Sequence, residues 1–174
     1  MKKLITAILV AAGPLAWGCA VQAPEIWHST PSAQHLAKTA YEIELQPVKG
    51  GKHYYTAFRL TVKNKSGMPL TIDWQKTRYL LGGRINGGFM FAGLDPKMLN
   101  APPADTITPG GVLTKEIWPV KLIAYAPYRE KSVPAGKRGF SLGVMPLGSN
   151  GIVLVLRQGA KVRREALSVT IFRK

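Results

Sequence analysis

The sequence predicts an all-β protein, an immunoglobulin-like sandwich of seven to eight short antiparallel strands. Three observations carry that expectation. Apolar residues take every second position in several brief segments, of which Phe58 to Trp74 is the plainest. The chain's 18 glycines and 13 prolines are scattered without a repeat, and they punctuate it into short elements. Turn-forming clusters separate the apolar runs at the intervals of a sandwich. A chain of 174 residues holds one domain with a real core, and its 46% apolar content excludes disorder throughout.

The elements follow in order. Tyr41, Ile43 and Leu45 alternate with Glu42, Glu44 and Gln46, a first strand that ends at Pro47. Lys49-Gly50-Gly51-Lys52 is a hairpin turn, and a second strand runs from about His53 to Lys63. In it Phe58, Leu60 and Val62 face one way and Arg59, Thr61 and Lys63 the other. Asn64-Lys65-Ser66-Gly67-Met68-Pro69 breaks the run with turn chemistry. Leu70, Ile72 and Trp74 then resume it in a third strand, with Asp73 on the outward parity, set to pair with a nearby lysine. Trp74 and Trp118 read as core residues.

Arg78 to Leu81 and Phe89 to Phe91 are short strands around a glycine-rich loop, Gly82 to Gly88, whose glycines supply positive φ. Ala92 to Gly111 is long enough to carry function or to wrap the sandwich. Val112 to Trp118 is a strand closed by Pro119. Pro127, Pro134 and Pro146 exclude long regular elements between Val120 and Asn150. Ile152 to Leu156 suits a sheet-centre strand, Gln158-Gly159-Ala160-Lys161 is a turn, and Ala166 to Phe172 is the last strand.

The amino terminus reads as an export signal. Met1-Lys2-Lys3 is a positive n-region and Leu4 to Trp17 an apolar run too short for a comfortable membrane span. The chain's single cysteine, Cys19, follows Gly18 directly in the segment LAWGCA. This arrangement resembles the lipobox of bacterial lipoproteins. The resemblance implies cleavage after residue 18, lipid attachment at Cys19, and, with Ala20 next, sorting to the outer membrane. The same residues also satisfy an ordinary small-x-small cleavage site, which releases a soluble periplasmic protein beginning at Val21. Residues 19–38 read as a tether, in which Ser32 to Ala40 allow one helical turn and Trp27 suits a membrane interface. The domain proper is then 39–174.

The segments VKNKSGMPLTIDW, ITPGGVLTKEIWP and NGIVLVLRQGAKVRREALSVTI together resemble a group of small bacterial envelope lipoproteins with immunoglobulin-like domains. The resemblance implies the fold, and function only by analogy.

Chemistry is sparse. The three histidines, His28, His35 and His53, have no Gly-x-Ser-x-Gly nucleophile to serve. Glu42 and Glu44 share the polar face of a strand and read as solvated charges. No Cys/His spacing or acidic loop suits a metal, and the glycine-rich loop lacks the Gly-Lys-Ser/Thr ending of a phosphate-binding loop. The expectation is a non-catalytic protein without a cofactor.

The formal charge of +15 is the strongest compositional signal, and such a field attracts acidic partners. Two basic clusters are candidate binding surfaces. Arg129, Lys131, Lys137 and Arg138 lie in a proline-punctuated loop with Tyr125 and Tyr128, and cations beside aromatics suit acidic polymers, lipid phosphates or acidic protein surfaces. Arg157, Lys161, Arg163 and Arg164 crowd the last hairpin, where charge also serves to guard a strand edge. The reading is an envelope protein that binds or bridges an acidic component or another envelope protein through basic loops, with the membrane as second partner and nucleic acid not expected. The alternative is an accessory subunit of a larger envelope assembly.

Overall fold

The computed structural model describes residues 25–125 and 140–174. Fourteen strands make up its regular structure: β1 (Trp27–Thr30), β2 (Gln34–Ala37), β3 (Tyr41–Lys49), β4 (Tyr55–Asn64), β5 (Leu70–Ile72), β6 (Arg78–Leu81), β7 (Arg84–Ile85), β8 (Phe89–Phe91), β9 (Asp105–Ile107), β10 (Val112–Pro119), β11 (Ile123–Tyr125), β12 (Phe140–Leu142), β13 (Gly148–Gln158) and β14 (Lys161–Arg173). Short 3-10 turns at Pro96–Met98 and Val120–Leu122 interrupt the connections. Among the described residues no helix is long and apolar enough to cross a membrane.

The strands form two antiparallel sheets packed face to face. One runs β2-β3-β4-β10-β8; the other runs β1-β14-β13-β5-β9, with β6 continuing the line of β5 along β13 and β7 paired to β6. The four-strand order β3-β4-β10-β8 opposite β14-β13-β5/β6 is the immunoglobulin arrangement. The remaining short strands are additions to that frame.

The alternation read from the sequence builds the core. Tyr41, Ile43 and Leu45 of β3 and Phe58, Leu60 and Val62 of β4 meet Ile152, Leu154 and Leu156 of β13 and Leu167, Val169 and Ile171 of β14. Each of these side chains is removed from water, at roughly 25 cal/mol per Å² of apolar surface. β13 lies at a sheet centre, flanked by β14 on one side and by β5 and β6 on the other, which accounts for its continuous apolar run.

Several expectations need correction. Residues 27–37 are not a tether: β1 pairs with β14 and β2 with β3, so the sandwich begins before residue 39. The helical turn assigned to Ser32–Ala40 is instead the strand Gln34–Ala37. Trp27 is not in a tether: like Leu36, it is partly buried against the core. Both edge strands are four residues long, too short for their period to show against polar neighbours. β3 does not stop at Pro47 but runs to Lys49, because β2 covers it only as far as Leu45. Past that point a missing N–H removes no bond from that flank.

The third strand stops at Ile72, where a turn begins. Backbone amides of Lys76 and Thr77 donate to the Asp73 carbonyl, and the Thr77 hydroxyl donates to it at 2.8 Å. Asp73 is therefore not an outward strand residue; it is 5% exposed, and its carboxylate faces Arg157 at 3.6 Å and Lys76 at 3.9 Å. The turn swings Trp74 into the core as expected, while Trp118 is only partly buried against it.

The connection from Ala92 to Gly111 crosses from β8 in one sheet to β9 in the other and returns to β10. Beyond β10, a separate two-stranded ribbon of β11 and β12 closes on Tyr125↔Phe140. Gly143 follows it with no room for a side chain, since a Cβ there would lie 1.9 Å from the Leu122 carbonyl oxygen.

Candidate functional site

Two turns form one end of the sandwich: Asn64 to Pro69, between β4 and β5, and the β13–β14 hairpin turn at Gln158–Lys161. Asn64 pins the first. It is 0% exposed, and its side-chain amide donates to the carbonyls of Met68 (2.8 Å), Ile107 (3.1 Å) and Thr108 (3.2 Å). Its carbonyl oxygen accepts from the Ser66 amide at 3.0 Å and the Ser66 hydroxyl at 2.7 Å. The Gln158 side chain donates in turn to the Ser66 hydroxyl, which ties the hairpin to the turn.

On this frame stand the cations of the last hairpin. Arg157 faces Asp73, and Lys65 pairs with Glu42 at 3.0 Å. The bond from Lys65 holds the Glu42 carboxyl below the usual carboxylate range. Lys161, Arg163 and Arg164 are exposed, and no described carboxylate lies within 4 Å of any of them. Glu165, next in line, is committed elsewhere: the Tyr41 hydroxyl donates to it at 2.5 Å. Burial, the Glu165 hydrogen bond and its charge push the Tyr41 hydroxyl up to about 12, with Arg163 opposing.

The edge reading of these cations has a geometric basis. β14 pairs with β13 along its length, but its other flank pairs with β1 only from Thr170 to Arg173. Lys161, Arg163 and Arg164 lie on the free part of that flank.

The first basic cluster lies elsewhere. Tyr125 ends β11, and its pairing with Phe140 brings the two ends of the intervening loop together. Tyr128, Arg129, Lys131, Lys137 and Arg138 lie outside the described residues, as does Cys19.

Between the sheets, on the β9–β10 side, is a polar cluster that the sequence reading missed. Lys115 pairs with Asp105, which also accepts from the Trp74 indole at 2.7 Å. The Lys115 ammonium sits 4.0 Å from the Phe91 ring centre and 5.6 Å from that of Trp74. One signal was available: Lys115 interrupts the inward parity of Leu113 and Ile117. This cluster closes the sandwich and leaves no open donor set.

The histidines are spread apart. His28 stacks on Phe172 with ring centres 5.8 Å apart, and His35 lies 3.7 Å from Glu44, across the strand pair as the register dictates. Among the described residues no three His, Cys, Asp or Glu side chains gather at metal-binding distance. Depressions among the described residues include one of about 230 Å³ beside His35, Glu44, Lys63 and Val112, and one of about 260 Å³ among Trp74, Arg78, Gly87 and Asn100. The first includes the solvent-exposed His35–Glu44 pair, and the second brings no acid and base together. No protein-family model, curated protein or solved structure matches this chain.

Proposed function

We propose that this is an exported, lipid-anchored β-sandwich that binds an acidic component of the cell envelope without catalysis. One observation carries the reading: Lys161, Arg163 and Arg164 are exposed together at one end of the sandwich, and no described carboxylate lies within 4 Å of any of them. Three cations within four residues repel one another, and an acidic partner removes that repulsion. The basic loop between Tyr125 and Phe140 adds charge of the same sign.

The anchor rests on the LAWGCA segment and the single cysteine within it. Several acyl chains on one residue hold a protein at a membrane where one chain would exchange. The anchor and the basic surface are tested separately. Labelling with radioactive palmitate is expected to mark the native chain and to vanish in Cys19→Ala; equal labelling of both removes the anchor. Binding to polyglutamate, measured against salt, is expected to weaken steeply as ionic strength rises. A flat salt response removes the acidic partner.

A further inference from the structure

Among the described residues the unpaired flank of β14 differs from the other sheet edges. β1 and β2 are four residues long, β8 and β9 three, and β7 two. Short edges are the usual protection against pairing with another chain. β3 is open beyond Leu45, where Pro47 and a register shift at Val48/Lys49 spoil it. β10 is free of β8 from Val112 to Glu116, and there Lys115 reaches across to Asp105. Among the described residues β14 alone presents a long unpaired run, Lys161 to Val169, with no proline and no register shift against β13, and β2 and the start of β3 pack beside it from the other sheet without pairing. At 3.3–3.4 Å per residue this edge is about 30 Å long.

We propose that this edge is a strand-addition site for an extended, acidic segment of a partner protein. The inference rests on the acidic partner proposed above and names its form. Main-chain hydrogen bonds to β14 supply affinity, and alternate side chains supply selection. Arg164 shares a parity with Val162, Ala166 and Ser168 on the outer face, where Val162 is 53% exposed. Lys161 and Arg163 share the opposite parity with Glu165, which accepts from Tyr41. The matching segment therefore carries carboxylates opposite Lys161, Arg163 and Arg164 and a neutral residue opposite Glu165. A second copy of this chain is a poor occupant, because antiparallel pairing of the two free runs sets Glu165 opposite Glu165 and leaves the cations opposite Val169, Leu167 and Ala166, with no carboxylate across from them.

The test uses the full chain and a fluorescent peptide of about nine residues, long enough to cover the edge, with Glu opposite Lys161, Arg163 and Arg164 and Val elsewhere, including opposite Glu165. Two further versions are N-methylated at alternate residues, one at odd positions and one at even. An added strand directs only alternate amides at its neighbour, so one version is expected to bind at least about tenfold more weakly while the other keeps its affinity. Amide exchange should slow within Lys161–Val169 when the parent peptide binds. Equal binding of all three peptides overturns strand addition and leaves a charge-only acidic partner. Binding to vesicles of anionic phospholipid with none to the peptides overturns it in favour of a lipid surface. No binding to either overturns both this inference and the proposed function.

Discussion

Asn64 shows how much one side chain decides here. It is fully buried, with three carbonyls around its amide and Ser66 on its oxygen. Truncation to alanine removes the amide from the buried Ile107 carbonyl and unties Ser66, while Gly111 still donates to Thr108 and Ser66 to Met68, so Asn64→Ala is expected to cost about 1–3 kcal/mol in urea unfolding. A cost below about 0.5 kcal/mol would mean the turn holds itself. Its type was legible as a turn former; its burial was not, because the partners Ile107 and Thr108 lie more than forty residues away in sequence.

Tyr79 sets a second expectation at this scale. Its hydroxyl donates to Asn150, and burial pushes it from 10.0 up to about 12. The folded chain thus keeps a proton that the unfolded chain gives up first. The hydroxyl's contribution is intact below pH 10 and is lost as pH rises toward 12. Tyr79→Phe should be less stable than the native chain at pH 8, and the gap should narrow through that window. A gap independent of pH would contradict the assignment. The comparison with a variant matters because lysines deprotonate over the same range.

At the scale of elements, long strands were readable and short ones were not. The apolar centres of β4, β13 and β14 are located by the sequence, but β13 and β14 extend beyond the expected Ile152–Leu156 and Ala166–Phe172, to Gly148–Gln158 and Lys161–Arg173, because their polar ends are held by pairing with each other. β1 and β2 offer four residues apiece, with only Trp27 and Leu36 packed against the core, so proline and serine neighbours outweighed them. The Asp73 turn was hidden for a different reason. Its neighbours Ile72 and Trp74 keep an alternation that continues through the bend, and periodicity alone does not register a bend. These strands matter physically: a chain beginning at residue 39 loses the cover on both β3 and β14. It is expected to unfold at a lower temperature than the full chain and to scatter light on standing, through edge pairing. Equal melting and scattering would show β1 and β2 to be dispensable. Trp27→Ala in the full chain should cost about 2 kcal/mol, since the ring is only partly buried.

For the whole molecule, sheet order makes a surface that no single segment announces. The chain's charge of +15 is visible in composition, but composition does not say where it collects. The Greek-key path brings the Asn64–Pro69 turn beside the last hairpin, and the early departure of β1 leaves Lys161, Arg163 and Arg164 on an open flank. Neither relation is local in sequence, and the register places the hairpin's cations on an unpaired flank where both roles, edge guard and binding surface, are open to them. The two roles make opposite demands on a neutral variant. If these cations guard the edge, removing them exposes it to self-association; if they bind a partner, removing them weakens binding.

The direct measurement is therefore one variant, Lys161→Gln with Arg163→Gln and Arg164→Gln, assayed for oligomeric state by sedimentation and for affinity toward polyglutamate. The account predicts a folded monomer that binds at least about tenfold more weakly than the native chain. A variant that aggregates while retaining native affinity would contradict it.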